Sequence, residues 1–349
     1  MITDPGFPVE PWCLRETGLS LDVLAQTESV FALANGHIGW RATLEEGEPH
    51  ALPGCYLNGV YELRPLPYAE AGYGWPESGQ TVINVTNGKV IRLLVDDEPF
   101  DVRYGELRSH QRLLDFRAGT LSRQVEWTSP AGQTIRVRSV RVVSLTQRAV
   151  AALCYEVEPL DDPMRVVVQS ELVTNEELPP QSGDPRAAAA LEAPLDPEAH
   201  LSSQTGAQLI HRTHRSGLRV AAAMDHLIEG PASTTIFSES TPDLGRTSVS
   251  ALLRPGQRLR LVKYVTYGWS RKRSLPAMGD QVAAALTAVR QTGWEALVAE
   301  QRCYLGTFWT VPMSKLTATR RSSRRCASGC FTSSRPVREP SASRSPRKD

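Results

Sequence analysis

Residues 121–127 and 134–142 alternate apolar and polar side chains at period two, with Ser129-Pro130-Ala131-Gly132 as a turn between them. Alternation of this kind describes a strand with one buried and one wet face, so the pattern commits the chain to antiparallel β structure. Further runs at 150–157, 164–172, 209–213, 218–223, 248–253 and 259–267 have the same character. Residues 81–85 and 89–95 flank Thr86-Asn87-Gly88 and predict a hairpin. Many strands, short turns and few helices predict a mainly β fold, a large antiparallel β-sandwich. Residues 178–200 are rich in Pro, Ala and Asp and predict a long surface loop.

The period changes after Ser270. Residues 276–289 and 292–309 carry apolar residues at helical spacing, including Val282, Leu286, Val289, Trp294, Leu297, Leu305 and Phe308. They predict two connector helices leading to a further domain. On that reading some of Trp294, Leu297, Leu305, Phe308 and Trp309 face a missing partner and leave an exposed apolar patch.

Charge is uneven. The 349 residues hold 39 Lys+Arg and 38 Asp+Glu, but residues 311–349 carry ten basic and two acidic side chains, leaving a net of −7 before them. An acidic body argues against nucleic acid or an anionic membrane as partner. The first twenty residues hold Asp4, Glu10 and Glu16 and do not read as a signal peptide, and no run approaches the ~18 apolar residues of a membrane helix. A cytoplasmic protein is expected. Its six cysteines, Cys13, Cys55, Cys154, Cys303, Cys326 and Cys330, lack the clustering of a zinc site, so no metal and no cofactor is expected.

Three segments carry a resemblance. Residues 28–41, with Asn35-Gly36-His37-Ile38-Gly39, resemble the opening motif of glycoside hydrolase family 65, with Ala34 and His37 where the family has Gly and Tyr. Residues 53–62, with Tyr56-Leu57-Asn58-Gly59-Val60-Tyr61-Glu62, and residues 112–119, Arg112-Leu113-Leu114-Asp115-Phe116-Arg117-Ala118-Gly119, continue it. Arg123, Trp127 and Arg141 follow in order. The resemblance implies an N-terminal supersandwich of the galactose-mutarotase kind over 1–270, a helical linker over 271–309, and a catalytic (α/α)6 barrel beyond. It also implies inverting phosphorolysis or hydrolysis of an α-glucosidic disaccharide in an intact, often homodimeric enzyme, with inorganic phosphate as co-substrate of a phosphorylase.

The resemblance ends at Trp309. Written with codons of a GC-rich genome, the following residues give barrel-like sequence in another reading frame, so 310–349 is expected to be an out-of-frame, disordered tail. An inactive enzyme fragment is therefore expected; a stand-alone carbohydrate-binding or scaffold module is the alternative. Catalytic residues: none are assigned. Asp96-Asp97, Asp161-Asp162 and Glu176-Glu177 lie beside turns and read as solvated carboxylates. Tyr68, Tyr73 and Trp75 stand among Pro and Gly and are the candidates for sugar stacking, with packing under a loop as the other reading. Asn35-Gly36 and Asn58-Gly59 suit positive-φ turns at the surface, direct sugar contact being the alternative, and Arg112 is expected to contact Asp115 behind a turn.

Overall fold

The structure is a computed structural model that describes residues 7–49, 53–65, 78–177 and 192–310. Among these the chain is mainly β and antiparallel. A ten-stranded sheet runs in the order β1 (Val9–Glu10), β2 (Cys13–Thr17), β10 (Glu106–Asp115), β11 (Thr120–Thr128), β12 (Thr134–Val143), β13 (Val150–Pro159), β20 (Leu259–Ser270), β17 (Arg219–Glu229), β16 (Gly206–Thr213) and β15 (Leu195–Ser202). Against it lies a five-stranded sheet of β18 (Thr235–Ser240), β19 (Leu244–Leu253), β14 (Met164–Val173), β8 (Ile91–Val95) and β9 (Glu98–Pro99). Smaller sheets join β3 (Leu33–Ala34), β4 (Ile38–Trp40) and β5 (Cys55–Leu57), and β6 (Tyr61–Pro65) with β7 (Ser78–Val82). A short helix, α1 (Leu24–Val30), precedes β3.

Period two sorts the side chains. On β13 and β20 the odd-numbered Ala151, Leu153, Tyr155, Leu261, Val265 and Tyr267 enter the core between the sheets. The even-numbered Val150, Ala152, Cys154, Val262 and Tyr264 enter a second core on the opposite face. Both faces of these central strands are therefore dry, which is why they read as nearly continuous apolar runs.

Two helices cover that second face. α2 (Leu275–Thr292) begins at Ser274, whose hydroxyl accepts from the Ala277 amide at 3.4 Å, with Pro276 in the first turn. It ends at Gly293, φ +78°, and α3 (Trp294–Thr310) starts at once. Met278, Val282, Val289 and Leu297 are buried against the sheet, and Leu305 reaches the main core beside Gly119. The indole of Trp309 donates to Phe116 O at 2.9 Å and meets Trp12 edge-on. The expected exposed patch shrinks accordingly: Leu297 and Leu305 are buried, Trp294 and Trp309 are packed, and Tyr304 (45% exposed) and Phe308 (37%) remain open. The sheet's own outer face supplies the partner that the helices need.

Three expectations are corrected. Residues 81–95 form no hairpin: β7 pairs with β6, and β8 pairs with β14 and β9. Thr86-Asn87-Gly88 instead crosses between sheets, where Asn87 bridges Val173 and its Oδ1 accepts from Lys89 N at 3.0 Å and Lys89 Nζ at 2.9 Å. Within the predicted 178–200 loop, residues 178–191 lie outside the described residues, while Leu195–Ser202 is a strand. It tolerates Pro197 because it is the sheet's outermost strand, bulged between Pro197 and Ala199. Arg112 and Asp115 do not meet, because three residues along a strand put side chains on opposite faces. Arg112 donates to Glu16 (2.5 Å) and Ala42 O (3.0 Å), and Asp115 accepts from the amides of Arg117 and Ala118.

No helix among the described residues is long and apolar enough to cross a membrane. Apart from Thr310, the predicted tail lies outside the described residues.

Candidate functional site

The two Asn-Gly segments build one cleft. β4 and β5 pair as Ile38↔Leu57, Gly39↔Tyr56 and Trp40↔Cys55. Ile38, Trp40, Cys55 and Leu57 point into the core, which leaves Gly39 and Tyr56 on the outward face. Asn35 is buried, not at the surface: its Oδ1 accepts from His37 N (2.9 Å) and Ile38 N (2.8 Å), and its Nδ2 donates to Ser144 O (2.6 Å) and Arg148 O (3.0 Å). Its amide is fully satisfied, as burial requires. Asn58 is exposed, with its backbone N–H on His37 O at 2.8 Å and its Nδ2 on Gly36 O at 3.1 Å. The turns are thus locked to each other, and Trp269 fastens them to the sandwich by donating to Asn58 O at 3.0 Å.

Between them lies an open cleft of about 380 Å³ lined by Gly36, His37, Gly39, Tyr56, Asn58 and Val82, among others. Burial, with Arg148 nearby, lowers the pKa of the His37 imidazole, so the ring is neutral at pH 7 with one donor and one acceptor nitrogen. Burial raises the pKa of the Tyr56 phenol, which keeps its proton.

Behind the cleft the core holds a band of charge. Inward positions along β10, β11 and β12 run from the apolar Leu114, Leu121 and Val143 through Arg112, Arg123, Ser139 and Arg141 to the apolar Val125, Trp127, Ile135 and Val137. The band receives the segment between β4 and β5. Arg123 Nη1 donates to Glu45 (2.7 Å) and Glu46 (2.8 Å), Arg141 Nε to Glu45 (2.9 Å), and Ser139 to Glu45 (2.5 Å). Burial alone would raise Glu45, but Arg141 and Arg123 outweigh it and hold its carboxyl below the usual range. Glu46 is pushed up by burial and by the charge of Glu45. These buried acids and arginines escaped the sequence reading. Their signal is a slip of phase in 134–142, where Ser139 and Arg141 occupy positions in the core between the sheets while Val140 and Val142 take the opposite face, Val142 in the core under the helices.

Tyr68, Tyr73 and Trp75 lie outside the described residues. Asp96 and Asp97 form a positive-φ turn (φ +44° and +71°) in which Asp96 accepts from Arg165 N at 2.7 Å. Asp161 and Asp162 are exposed, and Glu176 accepts from Asn87 Nδ2 at 2.9 and 3.0 Å. No three His, Cys, Asp or Glu side chains among the described residues gather as metal ligands would.

Comparison with known proteins decides the family. The glycosyl hydrolase family 65 N-terminal domain matches residues 14–308. The chain belongs to glycosyl hydrolase family 65. Within it, an uncharacterized glycosyl hydrolase of Mycobacterium tuberculosis is 59% identical over 309 residues, covering 88% of this chain and 39% of its own. An α,α-trehalose phosphorylase of Thermoanaerobacter brockii is 29% identical over 310 residues, 87% of this chain and 40% of its own. The chain thus spans about two fifths of the length of these family 65 relatives. A solved structure described as a kojibiose phosphorylase from the human microbiome shares the fold, with a TM-score of 0.77 at 19% identity over 87% of this chain and 39% of that one.

Proposed function

We propose that this family 65 domain is the non-catalytic N-terminal part of an enzyme that acts on an α-glucosidic disaccharide by inverting phosphorolysis or hydrolysis, and that alone it turns nothing over. The observation carrying this reading is that relatives named for such chemistry match the whole domain and extend far beyond it. Side-chain accounting supports it. Inverting attack needs a proton donor at the leaving oxygen and, for hydrolysis, a carboxylate that activates water. Here Glu16, Glu45, Glu46 and Glu171 are buried and bound to arginines. Among the described residues no Asp or Glu lines the cleft. The acid then comes from the polypeptide beyond this domain, and inorganic phosphate serves as nucleophile in a phosphorylase. The intact enzyme is read as a cytoplasmic homodimer.

The test is turnover. The purified chain is incubated with trehalose, maltose or kojibiose, with and without phosphate, and glucose and glucose 1-phosphate are measured. No product above a buffer blank is expected. Adding the part of the Mycobacterium tuberculosis relative that follows the matched segment is expected to restore product. Turnover by the chain alone that survives repurification overturns the proposal.

A further inference from the structure

Gly39 has no reason in the fold to be glycine. It lies in the middle of β4, paired with Tyr56, and its backbone is outside the left-handed region. A Cβ built there would meet only Tyr56 Cβ, at the ordinary contact distance of 3.9 Å. Glycine within a strand costs roughly 0.5–1 kcal/mol relative to alanine. Gly59 differs: its φ is +89° and a Cβ would stand 2.5 Å from the Trp269 ring. What the missing side chain at position 39 does is leave the strand's outward surface bare on the cleft. A glycine inside a strand commonly marks such a place, where a ligand or another backbone comes close.

We propose that this cleft binds one pyranose ring of an α-glucoside, seated on the bare backbone of β4 between the two Asn-Gly turns. The volume of about 380 Å³ falls in the range of small-molecule sites, roughly 300–1,000 Å³. No Asp, Glu, Lys or Arg among the described residues lines it, which suits an uncharged ligand. A sugar presents hydroxyls that both donate and accept, together with an apolar C–H face. The rim answers both: His37 and the Asn58 side chain, whose Nδ2 keeps one hydrogen beyond its bond to Gly36 O, can donate and accept, while the Tyr56 ring, its hydroxyl shared with Asn84, and the 62%-exposed Val82 offer apolar surface. The choice of a glucoside rests on the functional reading above; the existence of the site rests on the glycine and the cleft.

The full chain is titrated with maltose, trehalose, kojibiose and methyl α-glucoside by saturation-transfer NMR and calorimetry. Saturable binding is expected for at least one of them. Gly39→Leu, which fills the cleft from a residue with open space above it, and Tyr56→Ala are each expected to weaken binding by at least ~10-fold, about 1.4 kcal/mol. Both variants are expected to keep the parent's circular dichroism spectrum and to stay folded at the titration temperature. The proposal is overturned if no sugar binds saturably, or if either folded variant binds as the parent does. It also falls if Gly39→Leu blocks activity restored with the relative's remaining segment while the isolated chain binds no sugar, since the cleft then seats protein. In that outcome the functional reading survives. Sugar binding at the cleft by a chain that also turns sugar over has the opposite consequence: the site stands and the functional reading falls.

Discussion

Gly39 and Gly59 border the same cleft and ask different things of the chain. At Gly59 both conformation and space exclude a side chain, since φ is +89° and the Trp269 indole occupies the position a Cβ would take. Gly59→Ala is expected to lower unfolding stability by about 1–3 kcal/mol through backbone strain, with more from displacing the ring. Gly39→Ala is expected to leave stability equal or raise it by up to ~1 kcal/mol. Urea denaturation of the two variants checks the contrast, and equal losses would contradict the reading of Gly39 as free of structural demand. Arg123 is the opposite kind of residue, held in place by the charges around it. It holds both Glu45 and Glu46, so its guanidinium keeps two buried carboxylates from standing uncompensated.

At the scale of elements, α2 and α3 belong energetically to the sandwich. Their buried stripe, Met278, Val282, Val289, Leu297 and Leu305, meets the outer face of the ten-stranded sheet and the edge of the main core. Gln301 pins the same helix by polar contacts, donating to Gly119 O and Val143 O and accepting from Leu145 N at 2.9 Å. Leu297→Ala therefore removes core packing and is expected to cost ~2–5 kcal/mol. Phe308→Ala, on the more open side of α3 with its ring edge-on to Trp309, is expected to cost clearly less, ~0.5–1.5 kcal/mol. Paired denaturation curves measure both. Had these helices been waiting for an absent domain, both substitutions would be nearly silent in this chain.

For the whole molecule, the feature that matters is the polar band separating two apolar cores inside one sandwich. Two buried histidines are held neutral, His110 beside Arg123 in that band and His226 on β17 beside Ser170. Burial, with Arg123 and Arg112 close by, lowers His110 to about 3, and burial, with Lys263 nearby, lowers His226 to about 4. The bonds fit that state: His110 Nε2 accepts from Arg123 Nε at 3.2 Å and Nδ1 donates to Gly18 O at 3.1 Å. Below the ordinary histidine pKa of about 6.5 the unfolded chain takes up protons that the folded chain refuses. Stability contributed by these rings is thus present above pH ~6.5 and is lost as pH falls toward 4, by at most ~1.4 kcal/mol per pH unit per ring. Glu45, lowered to about 2, adds loss only as pH falls from about 4.5 toward 2, and Glu46, shifted up, opposes both. Unfolding free energy measured from pH 7 to 4.5 is expected to fall, and His226→Gln is expected to flatten the slope. A flat profile in the parent chain would contradict neutral buried rings.

The sequence alone determined the antiparallel β class, the helical segment after Ser270 and the family, because period-two alternation, helical spacing and ordered motifs are local signals. It placed most strands within a few residues, since each central strand buries apolar side chains wherever it pairs. It did not determine which strands pair. Thr86-Asn87-Gly88 has the composition of a hairpin turn, yet β8 finds better partners in β14, from Val95↔Val166 to Ile91↔Ser170, and only the packed sheets make that choice. Nor could it separate Arg123 and Arg141 from surface arginines, because a charge enters a core only where other segments bring counter-charges, here Glu45 and Glu46 from a loop far away in sequence. The cleft was legible as two motifs and illegible as one site. Asn35-Gly36 and Asn58-Gly59 each suggest a turn, but their joint lining of a cavity follows from the β4–β5 register and from Trp269, which tertiary structure alone supplies.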